Sequence, residues 1–304
     1  MLRQTFLYLS QRKWLRHWME NSALSHKLTS RFVAGSTLAE GITVLQKLSR
    51  EKILATLDFL GENVTSLDEA GRSRDTYLAA LAEIERNHLP ATVSIKLTQF
   101  GLDFSEEACL ENVASLVDRA RLMDSRVEID MESSEYTDRT LKLLACLQQR
   151  FPGRVRAVIQ AYLFRSEDDV RALSSQKIPV RLCKGAYREP ARVAFASKRD
   201  VDENYIKLMK LLLSEGTYPA IASHDEKIVR QARRYLKERE ITPDRFEFQM
   251  LYGIRRDLQS QLTAAGYRLR LYVPYGDAWY PYFMRRLAER PANVLFLAKN
   301  LLRS

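Results

Sequence analysis

The chain has little cysteine and no recognisable set of metal ligands. Its three cysteines (Cys109, Cys146 and Cys183) are odd in number and widely spaced, which argues against a disulfide framework and favours a reducing cytoplasm. Its four histidines share no ligand spacing with one another or with the cysteines. We therefore expect a cytoplasmic protein without a zinc site or any other bound metal.

Long apolar runs, signal segments and linkers are also missing. No run approaches the roughly 18 apolar residues that mark a membrane-spanning helix, and no secretory signal is evident. Hydrophobic residues make up 46% and charged residues 28% of the 304 residues, which is enough to build a full core. Without a Pro-, Gly- or Ser-rich linker, the chain is expected to form one main soluble domain.

Acidic residues are too few to balance the basic ones, and the formal net charge is +10. Such an excess raises nucleic acid or an anionic membrane as a partner. The Lys and Arg residues are, however, interleaved with acids along the chain instead of gathered in one patch. A generally basic protein that binds no nucleic acid is therefore favoured, with nucleic-acid binding kept as an alternative hypothesis.

Residues 1–34 are predicted to form one or two amphipathic helices, with tryptophans on the apolar surface and arginines and lysines on the basic one. Two interpretations stay open. The arm either packs on the main domain or on another subunit, which is favoured, or lies on an anionic lipid surface.

From residue 35 onward, strand-like and helix-like segments alternate. Period-two and buried apolar patterns predict strands at 53–59, 92–97, 127–131, 155–163, 180–184, 220–223, 246–251 and 269–273. Helical patterns lie between them, with Ser66, Ser105 and Ser166 as candidate N-caps. Eight such strands predict an α/β fold of the (βα)8 barrel type over residues 35–304. An open doubly wound sheet is less favoured, since no strand is followed by a GxGxxG turn.

The last strand and the helix after it form the stretch on which the functional prediction depends. Pro274, Gly276 and Asp277 are expected to end that strand, and a helix should then begin near Pro281. Four side chains spaced three and four residues apart share one face of this helix: Tyr282, Arg285, Arg286 and Glu289. Alone, such a face is more often solvated surface than a binding site.

Polar residues stand where most of the predicted strands finish. They are Lys96, Asp130, Gln160, Arg181, Lys184, Ser223, His224, Gln249 and Tyr272. In a (βα)8 barrel the strand ends carry the chemistry, and the interior is expected to be packed with branched apolar residues. Arg181 is the hardest to explain structurally, because a guanidinium within an apolar strand needs a partner.

Taken together, the charges predict a mostly positive cavity that binds anions. The turn Lys184-Gly185-Ala186 suits a phosphate, and the pair Arg285/Arg286 suits a carboxylate. Two anion sites favour a phosphate-bearing cofactor together with a small acid. A barrel aldolase or lyase that uses Lys96 or Lys184 as a Schiff-base lysine is an alternative.

These residues lie in blocks by which the chain resembles the proline dehydrogenase family. The blocks are SIKLTQFG, IDMESSEYTD, QAYLFRSEDD, PVRLCKGAYREP, ASHD, FEFQMLYG, LYVPYG and YPYFMRRLAERPAN. They follow the family order across about residues 35–304. The resemblance implies a distorted (βα)8 TIM barrel with non-covalent FAD at the strand C-termini and a final helix over the barrel mouth.

The resemblance also implies a role for each matching residue. It makes Asp130 and Arg181 catalytic, with Arg181 near the reactive edge of the flavin. Proline would be bound by Lys96, Arg285, Arg286, Tyr272, Tyr282 and Glu289. The flavin would be held by Met131, Gln160, Lys184, Gly185, Ala186, Ser223 and His224.

The implied reaction is the oxidation of L-proline to Δ1-pyrroline-5-carboxylate, the first step of proline catabolism to glutamate. Electrons would pass from FAD to a membrane quinone, which fits a peripheral contact of residues 1–34 with the inner face of the cell membrane. A chain of 304 residues leaves no room for the aldehyde dehydrogenase domain of bifunctional members. The resemblance therefore implies a monofunctional bacterial enzyme whose product goes to a separate pyrroline-5-carboxylate dehydrogenase.

Overall fold

The computed structural model describes residues 31–61, 64–280 and 282–284. Eight parallel strands form a closed barrel in sequence order, with the last strand paired to the first. The strands are β1 (Leu54–Phe59), β2 (Ala91–Ile95), β3 (Val127–Ile129), β4 (Val155–Gln160), β5 (Val180–Cys183), β6 (Ala220–Ala222), β7 (Glu247–Leu251) and β8 (Leu269–Tyr275). The predicted barrel is confirmed, and the open sheet is ruled out.

Helices surround the barrel and connect its strands. They are α1 (Leu38–Arg50), α2 (Leu67–Arg86), α3 (Glu106–Leu122), α4 (Thr137–Arg150), α5 (Ser166–Ser175), α6 (Lys198–Glu215), α7 (Glu226–Glu238) and α8 (Arg256–Ala264). The hydroxyls of Ser66 and Ser105 accept hydrogen bonds from the third backbone N–H of α2 and α3, as predicted. Ser166 is instead the first residue of α5, and its hydroxyl donates to the carbonyls of Gln160 and Leu163.

The predicted end of the last strand is wrong by two residues. β8 continues through Pro274 to Tyr275, in register with Asp58 and Phe59 of β1. The strand continues because its carbonyls keep partners beyond the proline: the N–H of Leu60 donates to Tyr275 at 2.7 Å. Proline removes a donor but leaves the carbonyl free to accept, and here it accepts from the N–H of Ala34 at 2.8 Å.

The apolar residues of the strands form the layer beneath the helices. Along β8, Leu269, Leu271 and Val273 are buried in the main hydrophobic core. Alternate residues must then point into the barrel, because successive side chains of a strand face opposite sides. The apolar residues of the alternating strands therefore face the helices, and the residues between them face the barrel interior.

The barrel interior is polar, which corrects the expectation of branched apolar packing. Arg156 on β4 forms an ion pair with Glu247 on β7. Arg181 on β5 likewise reaches Glu128 on β3, at 3.3 Å. Since neither pair of strands is adjacent in the barrel, both ion pairs must cross its interior.

The described part of the N-terminal arm packs against the segment that follows β8. Phe32 and Val33 are buried in one cluster with Trp279, Tyr280 and Phe283. Residues 279–280 and 282–284 are helical. Residues 1–30, which carry most of the predicted arm, lie outside the described part of the chain. None of the helices within that part is long and apolar enough to span a bilayer.

Candidate active site

Asp130 stands at the centre of a polar cluster at the C-terminal end of the barrel, one residue past β3. Its carboxylate accepts hydrogen bonds from Tyr272 at 2.8 Å, from Ser94 at 2.9 Å and from Arg181. The ammonium of Lys96 lies 3.6 Å away. Side chains on or directly after three strands, β2, β5 and β8, thus point at one carboxylate. The structure brings together four residues that sequence analysis placed at strand ends: Lys96, Asp130, Arg181 and Tyr272.

The charges of this cluster fix the ionisation of Asp130 and Tyr272. Burial acts to raise the pKa of Asp130, but Arg181, Lys96 and the Tyr272 hydroxyl together lower it below its ordinary value. Burial, and then the charge of Asp130, raise the pKa of Tyr272 well above its ordinary value. At neutral pH the site therefore holds an ionised Asp130 and a neutral Tyr272 that donates to it.

Arg181 is 4% exposed. Most of the N–H donors of its guanidinium have hydrogen-bond partners inside the barrel. Its Nη2 donates to Asp130 and to Ser94 Oγ at 3.0 Å, and its Nη1 donates to Gln249 Oε1 at 3.4 Å. The buried Nε–H has no hydrogen-bond partner among the described residues. The central carbon of the guanidinium also lies 5.3 Å from the ring centre of Tyr272, within the range of a cation–π contact.

Asp58, at the end of β1, belongs to this cluster and was missed by sequence analysis. Its Oδ1 accepts a hydrogen bond from Lys96 Nζ at 3.2 Å, and the residue is 1% exposed. Burial raises the pKa of Asp58, although the charge of Lys96 acts against it. The available signal was an acid inside an otherwise apolar strand, ATLDFL, which is the same signal that singled out Arg181.

Lys184 lies in a second cluster, beyond the ends of β5 and β6. Its ammonium forms ion pairs with Asp202 and, at 2.9 Å, with Asp225. Lys96 is similarly paired with two carboxylates. Neither lysine occupies the apolar surroundings that would favour the neutral amine of a Schiff-base enzyme, and the aldolase hypothesis loses its structural support.

The turn after Lys184 brings backbone close to an aromatic ring. Gly185 has a φ of +118°, and a Cβ added there would lie 2.4 Å from the ring of Tyr162. Only glycine fits this position without displacing the ring. The next N–H, from Ala186, donates to Gln160 Oε1 at 3.4 Å, so the turn is tied to the end of β4.

The other residues predicted to hold a cofactor lie at the same end of the barrel. Gln160 donates to the carbonyl of Glu132 at 2.9 Å. Ser223 Oγ accepts from the N–H of Asp225 at 3.1 Å, and His224 Nε2 accepts from the N–H of Leu251 at 2.8 Å. Met131 is buried beside Asp130.

Of the predicted face Tyr282/Arg285/Arg286/Glu289, the structure describes Tyr282, which is buried in the cluster formed with Phe32 and Phe283. Arg285, Arg286 and Glu289 lie outside the described residues. Their proposed contact with a substrate carboxylate stays a prediction.

Comparison with known proteins gives a consistent result. A sequence profile of the family described as "Proline dehydrogenase" matches residues 42–299. Proline dehydrogenase 1 of Bacillus subtilis (strain 168) is 42% identical over 304 residues, which is 100% of both chains. The proline dehydrogenase of Deinococcus radiodurans is 39% identical over 280 residues, covering 91% of this chain and 90% of that one.

The fold has a solved counterpart in a larger protein. Proline utilization A (PutA) from Bdellovibrio bacteriovorus, in a crystal structure of the enzyme inactivated by N-propargylglycine, aligns with a TM-score of 0.81 and 26% identity. The alignment covers 86% of this chain and 32% of that one, so this chain spans about a third of the larger protein.

Proposed function

The chain belongs to the proline dehydrogenase family, and from that premise we propose that it oxidises L-proline to Δ1-pyrroline-5-carboxylate with FAD as its cofactor. The observation that carries the proposal is the strand-end cluster around Asp130, together with the Nε–H of Arg181, which has no hydrogen-bond partner among the described residues. The name of the family supports the reaction, and the geometry around Asp130 supports this end of the barrel as its site.

The residues at this end of the barrel fit a flavin. A buried guanidinium donor without a partner costs free energy unless a ligand accepts from it, and the carbonyl and ring-nitrogen edge of a flavin can accept. Lys184, held in place by Asp202 and Asp225, adds a cation that suits a phosphate-bearing group. Bound FAD would supply the acceptor for the two electrons that leave proline.

We propose that FAD is held without a covalent bond, by residues that follow β3, β4, β5 and β6. They are Met131, Gln160, Lys184, Gly185, Ala186, Ser223 and His224. Arg181 would donate its Nε–H to the reactive edge of the ring, where a fixed positive charge favours added electron density. Asp130 would act by holding Arg181, Lys96 and the Tyr272 hydroxyl in one arrangement.

Proline would be anchored by its carboxylate. Arg285 and Arg286 can bind a carboxylate through paired N–H groups, with Lys96 beside them. Tyr272, Tyr282 and Glu289 would complete the site by shaping the ring pocket and pairing with the arginines. Positioning dominates this chemistry, since proline only has to present C5 while its nitrogen is neutral and can form the C=N bond as a hydride and a proton leave.

Product analysis tests the reaction. We expect purified protein incubated with L-proline and an artificial electron acceptor to form a cyclic imine that o-aminobenzaldehyde traps. Denaturation should release FAD, identified by chromatography against FMN. A protein that binds neither flavin and forms no imine would refute the proposal. D-Proline serves as the control, because the anchored carboxylate would direct its C5 away from the productive position.

For the reoxidation step we propose a membrane quinone as acceptor. The part of the N-terminal arm that precedes the buried Phe32 and Val33 would form a peripheral contact with lipid. A membrane-bound acceptor suits a basic chain with a tryptophan-containing, amphipathic N-terminal sequence. The imine product would pass to a separate pyrroline-5-carboxylate dehydrogenase. Turnover with a soluble quinone analogue should exceed turnover with NAD⁺ or oxygen. Faster turnover with NAD⁺ or oxygen would contradict the proposal that a quinone is the acceptor.

A further inference from the structure

Below the site, the barrel encloses a network of charged and polar side chains that the proposed reaction does not use directly. Its members are Glu128, Arg156, Glu247, Gln249 and Arg270, with Thr56 and Thr92 at one side. Glu128 and Glu247 are each 0% exposed. Burying charges to this extent is costly, and hydrophobic side chains would fill a barrel at lower cost. The network therefore calls for an explanation beyond packing.

The charges inside the barrel balance. The cations are Lys96, Arg156, Arg181 and Arg270, and the anions are Asp58, Glu128, Asp130 and Glu247. Each cation is paired with an anion within 4 Å. Loss of one anion would leave an uncompensated positive charge beneath the site, in surroundings that water does not screen.

Glu128 is the member that connects the network to the site. One carboxylate oxygen, Oε1, lies 3.2 Å from Arg156 Nη1. The other, Oε2, lies 3.3 Å from Arg181 Nη1 and accepts from Gln249 Nε2 at 3.3 Å. Burial opposes ionisation, but Arg156, Arg181 and Arg270 lower the pKa of Glu128 below its ordinary value. It is therefore an anion that holds Arg181 from below while Asp130 holds it from above.

Glu247 is a second buried glutamate of the same network, with which Glu128 can be compared. It is equally buried and forms ion pairs with Arg156 and, at 2.9 Å, with Arg270. Among the contacts of the described residues, none joins it directly to Arg181; Gln249 stands between them. The two glutamates thus share one network but differ in contact with the site.

We propose that Glu128 is a positioning residue for flavin chemistry. With Asp130 it fixes the guanidinium plane of Arg181 so that the Nε–H remains available to the cofactor, and its charge sets the reduction potential of the bound flavin. This inference rests on the proposed function, because it requires that FAD binds beside Arg181.

The substitution Glu128→Gln tests the charge while it keeps the shape. It leaves the interior with one excess positive charge next to Arg181, which favours the electron-rich reduced flavin. We expect the midpoint potential of bound FAD, measured by spectroelectrochemistry, to shift to a more positive value. We also expect the dissociation constant for FAD, titrated into apoprotein, to rise several-fold because Arg181 loses one of its two anionic partners.

Glu247→Gln is the matched control. It removes the same charge from the same network at the same depth, but away from Arg181. We expect a comparable loss of thermal stability with a clearly smaller shift in potential. Equal shifts in the two variants, or none in Glu128→Gln, would overturn the proposal and leave the network a purely structural feature.

If Glu128→Gln does not fold, Glu128→Asp tests the positioning role of Glu128 instead. It keeps the negative charge but withdraws the carboxylate by one methylene from Nη1 of Arg181. We expect weaker FAD binding with a nearly unchanged potential, and wild-type FAD affinity in this variant would contradict the positioning role. Wild-type protein that binds no FAD would instead refute the proposed function, before any variant is compared.

Discussion

The ammonium of Lys96 lies 3.2 Å from the buried carboxylate of Asp58, closer than it lies to the central carboxylate of Asp130. Asp130 has three further donors. Asp58 has a longer contact from Tyr77 at 3.5 Å, and the Tyr272 hydroxyl also acts on it. Lys96 is thus held from the β1 side of the barrel.

Asp58→Asn should change how stability depends on pH. Because the folded-state pKa of Asp58 is raised, ionising it costs the native state free energy. This cost is absent below the ordinary pKa of an aspartate, about 3.9, and develops as pH rises through the elevated pKa. The unfolding free energy of the variant, relative to wild type, should therefore increase from pH 4 upward. A flat difference in urea titrations across that range would contradict this.

Asp75→Asn is the control for that measurement. Asp75 lies on the exposed face of α2 beside Arg74, and its side chain is 62% exposed. Removing a solvated carboxylate of this kind should change the unfolding free energy by less than about 1 kcal/mol.

Asp130→Asn should damage both stability and activity. The substitution leaves Arg181 and Lys96 without their shared partner in a buried site, which costs about 3–5 kcal/mol of unfolding free energy. Because it also releases Arg181, kcat/KM for proline should fall by about 100-fold or more. Denaturant unfolding and steady-state kinetics measure the two effects.

The surface pair of Asp118 with Arg121 supplies the comparison. Asp118→Asn should change the unfolding free energy by less than about 1 kcal/mol and leave kcat/KM as it is. If the Asp130→Asn variant keeps a near wild-type kcat/KM, the proposed role of Asp130 in the active site is contradicted.

Tyr272→Phe should cost a hydrogen bond to a charged acceptor, worth about 1.5–3 kcal/mol of stability. It should also alter the ratio of kcat/KM values for L-proline and hydroxylated prolines, because the hydroxyl borders the proposed ring pocket. Tyr275→Phe is a close control on the same strand. The Tyr275 hydroxyl is buried without a partner among the described residues, so its loss should be neutral. An unchanged selectivity ratio in Tyr272→Phe would exclude Tyr272 from that pocket.

Arg286→Lys should raise the KM for proline by about tenfold, which corresponds to about 1.4 kcal/mol, with a smaller effect on kcat. Lysine keeps the charge but loses the planar fork that binds a carboxylate at two points. Arg230→Lys, at an exposed position of α7, should leave KM unchanged. A wild-type KM in Arg286→Lys would show that Arg286 does not bind the proline carboxylate.

The sequence predicted the barrel well because its strands alternate regularly with capped amphipathic helices. It also placed Lys96, Asp130, Arg181 and Tyr272 at strand ends, where the topology brings them together. Predicting eight parallel strands was enough to predict that these residues meet, since closure of a barrel brings the C-terminal ends of all its strands to one rim.

What the sequence did not predict was the contents of the barrel. Arg156, Glu247 and Arg270 each look like ordinary surface residues in an alternating strand, because alternation alone does not tell which face meets the helices. Their partners lie on strands far away in sequence, as for Arg156 and Glu247. Asp58 was missed for the same reason, since its partner Lys96 follows β2 and lies 38 residues away in the sequence.

The visible spectrum under anaerobic conditions, before and after addition of L-proline, tests the central claim most directly. We predict a yellow protein whose flavin absorbance band bleaches with L-proline and persists with D-proline. A protein that stays colourless after incubation with FAD, or a flavin band that L-proline leaves unchanged, would contradict the account.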